Sequence, residues 1–353
     1  MSSQELATDL LEREAALRAD GANPRMRDAA AALGVPEAAL LEARRAGGAA
    51  VRLRRADVAE GFGTILARLP EVGEVMALTR NETCVHELTG RFSEPAFEGA
   101  MGQVVGEIDL RLFMQHWRYG YCLDEDTRSG PRRSLQFFDA TGTAIHKVYA
   151  TGGTDRAAFD AIVAAVADPD AAPAAFVLPK PRAGERPDGE IDVAGFRAAW
   201  DGLGMTHEFF MILRRFGVTR AQGMRLAGPE RARQVPVSAL RAVLDGVAAE
   251  GVPIMVFVSN PGCVQIETGP VQRIVEVGSW LNVLDPGFNL HLDTAGVAGA
   301  WVVRKPSVNG EIHSLEVYDS AGDLACQIFG HRKAGGRELA EWRGLVTGVA
   351  GAA

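Results

Sequence analysis

The 353-residue chain repeats itself, and the repeat limits the folds open to it. Residues 76–90, MALTRNETCVHELTG, lie without a gap on residues 255–269, MVFVSNPGCVQIETG. Met76, Asn81, Cys84, Val85, Thr89 and Gly90 recur there as Met255, Asn260, Cys263, Val264, Thr268 and Gly269. About one such agreement is expected from background residue usage, so the match marks a duplication. With one more residue of offset, SLQFFDATG from Ser134 answers SLEVYDSAG from Ser314. Two related halves of roughly 150 residues follow. Function has room to settle where the halves have diverged: Arg111 falls opposite His291, Lys147 opposite Gln327, and His86 opposite Gln265.

Residues 4–46 read as three helices, the second starting near Pro24 and the third at Val35-Pro36 and running through Arg45; proline suits a helix start because its missing N–H has no partner there. From Val75 to Ala150 the pattern is one of strands, with β-branched and aromatic runs between Gly- and Asp-rich turns. SLQFFDATGTAIHKVYA reads as a hairpin closing at Asp139–Gly142, and SLEVYDSAGDLACQIFG as its counterpart closing at Asp319–Gly322. DRAAFDAIVAAV and EWRGLVTGV read as the closing helices. Five prolines between Asp168 and Gly189 mark a linker or wrapping strap. The expected fold class is α+β: an internal duplication of two similar lobes, each an antiparallel β-sheet with flanking helices. The expected domains are an N-terminal repeat over 1–165, a proline-rich linker over 166–190 and a C-terminal repeat over 191–353.

A net charge of −8 argues against a general binder of nucleic acid or anionic membranes, so an anion site has to be built locally. RDAAAALGVPEAAL superficially resembles a helix-turn-helix, but the following helix lacks the clustered basic and amide side chains that read base edges. The first twenty residues mix acids and bases and contain no apolar core of a signal peptide, and no apolar run approaches the ~18–20 residues of a membrane span, so a cytoplasmic location is expected. Cys84, Cys122, Cys263 and Cys326 are widely spaced in strand-like apolar runs and read as buried reduced thiols.

Two segments carry candidate chemistry. MTHEFFMILRRFG, read as a helix, places His207, Phe210, Met211 and Arg214 on one face and an anchoring stripe of Phe209, Ile212, Leu213 and Phe216 on the other. A lone helical histidine is more often structural or solvated than a ligand. DLRLFMQHW, read as a strand, sets Arg111, Phe113, Gln115 and Trp117 on one face, a guanidinium beside two aromatics. An edge arginine in a surface salt bridge is the competing reading.

NPRMRDAAAALGVPEAAL, RNETCVHELTG, DLRLFMQHW, SLQFFD, KVYAT, HEFFMILRR, MVFVSNPGCVQIETG, WLNVLDP, WVVRKP and QIFGHR together resemble, in order and spacing, the cytoplasmic hemin-degrading and hemin-transport proteins of bacterial haem uptake. The resemblance covers nearly the whole chain and implies haem b (iron protoporphyrin IX) as cofactor. It puts the proximal iron ligand on His207 and Arg111 on the opposite face of the porphyrin, with Phe113 beside the ring. Further binding positions carry over to Arg220, Phe257, Lys305, Gln327, Phe329 and Arg332. Phe329 departs from the tyrosine common in the family, and His331 is a nearby polar candidate. The chemistry agrees: a large apolar disc with two carboxylates needs an apolar slot (Phe113, Phe257, Phe329), an iron ligand and cations for its propionates (Lys305, Arg220, Arg332). Gln327 and Phe329 would share a strand face, and a bulge at Gly330 would be needed to bring Arg332 to it.

Arg111 keeps its protons and cannot ligate iron, so its expected catalytic role is to hydrogen-bond the sixth ligand. The leading expectation is a haem-binding protein of iron acquisition that traffics imported haem and has ring opening as a further capacity. A dedicated haem-degrading, haem-oxygenase-like oxidoreductase is the alternative, and a helix-turn-helix DNA-binding regulator the weaker one. The partners this implies are haem, an inner-membrane haem importer or a downstream haem acceptor, an electron donor if the ring is degraded, and a second copy in a homodimer; no nucleic acid is expected.

Overall fold

A computed structural model of the protein describes residues 3–19, 24–127, 130–182, 184–205, 208–333 and 335–351. Three helices open the chain, Ser3–Ala19, Met26–Leu33 and Glu37–Arg45. The second stops where Gly34 turns left-handed (φ 69°) and its N–H caps the helix carbonyls; the third starts directly after Pro36.

The chain divides into two compact units: residues 1–80, 87–180 and 260–265 in the first, residues 81–86, 181–259 and 266–353 in the second. The first holds an antiparallel run of strands in the order Ala50–Arg52, Tyr119–Thr127, Gly130–Phe138, Ala144–Thr154, Gly73–Arg80. A smaller meander, Ala96–Glu98, Met101–Val104 and Asp109–Phe113, accompanies it. The second unit repeats the plan with Ala232–Val235, Val297–Ser307, Gly310–Asp319, Leu324–Gly330 and Ile254–Asn260, and a meander of Ile274–Val277, Trp280–Asp285 and Phe288–Asp293. This is an α+β fold of two similar lobes, as the repeat requires. The predicted hairpins close as expected, with Gly142 N–H bonded to Asp139 O (3.1 Å) and Gly322 N–H to Asp319 O (3.0 Å). Both glycines have positive φ, 82° and 79°, which side-chain-bearing residues resist. The closing helices are Arg156–Val166 and Ala340–Gly351.

Period-2 burial anchors the strands. Val75, Ala77 and Thr79 are buried in the first unit, and Ile254, Val256 and Val258 in the second. Between residues 168 and 187 the described chain has no regular element. Its first part is held by Tyr119 OH donating to Ala175 O (2.6 Å), Arg45 Nη2 to Ala171 O (2.8 Å) and Val177 N to Ala140 O (2.9 Å). All four cysteines are free and buried.

The structure corrects three local readings. DLRLFMQHW is not one strand: it ends at Phe113, and Met114–His116 form a 3-10 turn. Trp117 therefore leaves the face of Arg111; it is buried, its indole N–H bonded to Gly262 O (2.9 Å) and its ring 4.9 Å from that of Phe137. Second, no bulge occurs at Gly330, where pairing runs on to Ile254↔Gly330. A Cβ there would come 2.5 Å from Trp342 Cγ, so this glycine makes room for an indole. Third, the described part of MTHEFFMILRRFG is not helical throughout: Met205 lies in a bend, and the α-helix runs Phe209–Phe216.

Gly330→Ala is expected to destabilise the protein by about 1–3 kcal/mol, the usual effect of overpacking a closed core, read as a lower urea midpoint at unchanged slope. Acid should act through the core histidines. His146 is fully buried with Nδ1 2.9 Å from Thr79 Oγ1, and burial pulls its pKa down to about 3. His86 is likewise pulled down by burial to about 3, against a backbone hydrogen bond at Val256. A folded value below the ordinary ~6.5 means the unfolded chain takes up more protons, so stability is full above pH ~6.5 and falls as pH drops toward 3. Between pH 7 and 5 the loss should be about 2 kcal/mol per buried histidine, and His146→Phe should remove one such share; urea unfolding at the two pH values checks it.

Candidate functional site

Strand register gathers the site residues of the second unit. Directly opposed residues of antiparallel strands share a face. The pairs Phe257↔Gln327 and Glu316↔Gln327 put Phe257, Gln327 and Glu316 together, and Met255↔Phe329↔Ser314 form the next row. Trp301 opposes Glu316, so Lys305, four residues further along its strand, points to the same side. The Phe257 and Phe329 rings meet edge to face at 5.3 Å, and both remain partly exposed with Met255 and Gln327. These side chains form a partly exposed strip along the sheet.

Beside the strip lies a charged cluster centred on Glu316, whose side chain is 0% exposed. Its Oε1 accepts from Lys305 Nζ (2.5 Å) and Ser314 Oγ (3.2 Å). Its Oε2 accepts from Arg220 Nε (3.1 Å) and Tyr318 OH (2.6 Å), and Arg220 Nη2 is also 3.1 Å away. Burial alone would raise the Glu316 carboxyl, but Arg220 and Lys305 hold it well below the usual carboxylate range. Arg220 opens the helix Arg220–Ala227, whose N-cap Thr219 accepts from Gln222 N. Lys305 is 3% exposed, whereas the Arg220 side chain keeps 27% of its surface in solvent.

Phe209 roofs the cluster, its ring centre 4.7 Å from Lys305 Nζ and 5.5 Å from Arg220 Cζ. It starts the helix Phe209–Phe216, which Gly217 ends in the left-handed conformation. The predicted anchoring stripe packs inward through Phe209, Leu213, Ile212 and Phe216, leaving Phe210 and Met211 at 62% and 69% exposure. His207 lies outside the described residues. Arg332, past the strand end, is half-buried, which pulls its guanidinium below the usual arginine value against the nearby Glu338 charge. His331 is tied by its N–H to Pro253 O (2.9 Å).

Arg111 and Phe113 belong to the first unit. The Arg111 side chain is 40% exposed, ion-paired with Asp109, and donates to Leu110 O at 3.0 Å. Phe113 donates its N–H to Gly262 O at 3.0 Å. On the face of the first unit that corresponds to the strip, Lys147 and Tyr149 replace Gln327 and Phe329 and are buried, while Met76 and Leu78, at the positions of Met255 and Phe257, stay partly exposed. Glu37, at the start of its helix, reaches Lys147 Nζ at 2.5 Å and Arg80 at 2.5 Å.

Glu316 and Tyr318 were not singled out from the sequence, and Phe209 was read only as part of the anchoring stripe. The signal was in the repeat: SLQFFD against SLEVYD changes Gln136 to Glu316 and Phe138 to Tyr318, divergences of the same kind as Lys147 against Gln327.

The family model of the haemin-degrading HemS.ChuX domain matches the chain twice, over residues 34–166 and 217–349. The chain belongs to this family. It is similar to the hemin transport protein HmuS of Yersinia pestis, at 37% identity over 319 residues and 90% of each chain. Hemin transport protein HemS of Yersinia enterocolitica is 35% identical over 343 residues, 96% of each chain. Among solved structures, holo-PhuS, a heme-binding protein from Pseudomonas aeruginosa, matches with TM-score 0.91 and 41% identity, covering 96% of this chain and 98% of that one. ChuS, an E. coli heme oxygenase, matches with TM-score 0.86 and 35% identity over 97% and 99%. Among the described residues no helix is long and apolar enough to cross a membrane.

Proposed function

We propose that this protein binds haem b as cargo in the cytoplasm, traffics it after import and hands it to an acceptor. The observation that carries this reading is the face of the second unit, where the Phe257–Phe329 strip adjoins a cluster with two cations and one carboxylate. An apolar disc with acidic edges fits such a face, and the relatives with similar chains bear hemin-transport and heme-binding names. Ring opening is the second reading, favoured by the likeness to a heme oxygenase. In both, His207 supplies the proximal imidazole, the aromatic side chains exclude water, and Arg220, Lys305 and Arg332 serve the carboxylate edge.

Arg111 is the proposed distal residue. Asp109 and Leu110 O both engage Nη1 of its guanidinium, so Nε and Nη2 would remain to donate toward a ligand carried by the haem iron. Iron in the porphyrin would supply the oxygen chemistry, with electrons from an external donor. The deciding experiment is spectral titration of the purified protein with haem, followed by aerobic incubation with a reductant and catalase and identification of any tetrapyrrole product. Absence of binding would favour the regulator alternative.

His207→Ala should shift the Soret maximum and weaken haem retention at least about tenfold, since changes one shell further out already cost metal sites about 10–100-fold. An unchanged spectrum and affinity would move the ligand to a histidine such as His291 or His331. Arg111→Ala should leave haem bound through His207, raise the pKa of the iron-bound water and slow reductant-driven ring opening, because a nearby fixed cation favours hydroxide. A pH titration of the ferric spectrum, run beside the degradation assay, checks both effects.

A further inference from the structure

We propose that Glu316 is a positioning residue that fixes Arg220 for a carboxylate of the cargo, and that Lys305 acts through Glu316. The inference rests on the haem reading above and concerns how the protein distinguishes porphyrin acids from their uncharged analogues. Lys305 is nearly inaccessible and its ammonium is spent on Glu316 Oε1. Arg220 is different: Glu316 Oε2 engages Nε and Nη2 on one edge, and Tyr318 OH lies 3.2 Å from Nε. The guanidinium carries five N–H donors, so the rest of the fork is left to face outward from the part-exposed side chain.

Five donors converge on a carboxylate that has no solvent contact, so Glu316 cannot itself swing out to meet a ligand. A long, flexible arginine gripped along one edge loses its freedom before the ligand arrives, and the entropy of ordering it is not charged to binding. Tyr318 completes the grip by donating to Oε2 at 2.6 Å, which fixes the carboxylate plane. The first repeat has Gln136 and Phe138 at the positions of Glu316 and Tyr318, so Glu316→Gln and Tyr318→Phe install side chains that the equivalent sheet already accommodates.

The test uses the full chain and two probes, ferric protoporphyrin IX and its dimethyl ester, titrated in the same detergent buffer and followed by absorbance. Glu316→Gln should weaken the diacid at least about tenfold, equivalent to losing one charge-assisted hydrogen bond, while the ester changes less than about twofold. Tyr318→Phe, which keeps every charge, should weaken the diacid about threefold with the ester again unmoved, and decides the matter if the Gln variant melts early. The inference is overturned if diacid and ester affinities fall together, which is general damage to the fold, or if the diacid binds equally or more tightly, which makes Glu316 a competitor for the cations. A wild-type protein that binds neither probe overturns the haem reading, and this inference with it.

Discussion

Placing two cations on the inner face of a sheet demands a counter-charge at the same depth. Removing one partner from a buried ion pair costs about 3–5 kcal/mol, because the remaining charge has no water to turn to. Each lobe meets the demand with one carboxylate for two cations, but from different directions. In the first, Glu37 comes from a helix start and meets Lys147 and Arg80 over the sheet. In the second, Glu316 rises from the sheet and meets Arg220, which now occupies the helix start. Lys147 and Tyr149 are buried in the lobe with the helix-borne carboxylate, whereas their counterparts Gln327 and Phe329 stay partly exposed in the lobe with the sheet-borne one.

The frame that carries these faces depends on one side chain used twice. Asn81 Oδ1 accepts from the N–H groups of Thr83 and Cys84, and its amide donates to Ala325 O and Ser259 O. Asn260 does the same with Gly262, Cys263, Ile145 O and Arg80 O. An aspartate could accept these bonds but not donate, and a serine could not span both sides, so the amide is the group that fits. This accounts for Asn81 and Asn260 among the six agreements that reveal the duplication.

Elements with local signals were legible in the sequence. The opening helices, both hairpins with their Asp-to-Gly turns and the buried cysteines follow from periodicity, turn chemistry and apolar context. The misreadings arose where tertiary contact overrides local pattern. Apolar alternation continues through Met114 to Trp117, yet the strand ends because the Trp117 indole finds Gly262 O. Gly330 looks like a bulge residue in isolation, and only the packing of Trp342 explains it. Arg220 and Lys305 were visible as cations, but their common carboxylate was not, since Glu316 lies 96 and 11 residues away and no spacing rule joins them.

Charge arithmetic then connects the face to its cargo. Arg220 and Lys305 against Glu316 leave one excess positive charge, and Arg332, half-buried beyond the strand end, adds a second cation. Haem brings two carboxylates, so on the haem reading each meets one excess charge and the bound state is close to neutral at that edge. One fewer cation would bury an unpaired carboxylate at a cost of several kcal/mol. For a protein that must take up its cargo and give it away again, a partly exposed arginine held by a fixed internal anion gives recognition without a sealed site. Glu316 contributes to both sides of that balance, since it lowers the net charge and fixes the geometry of the arginine.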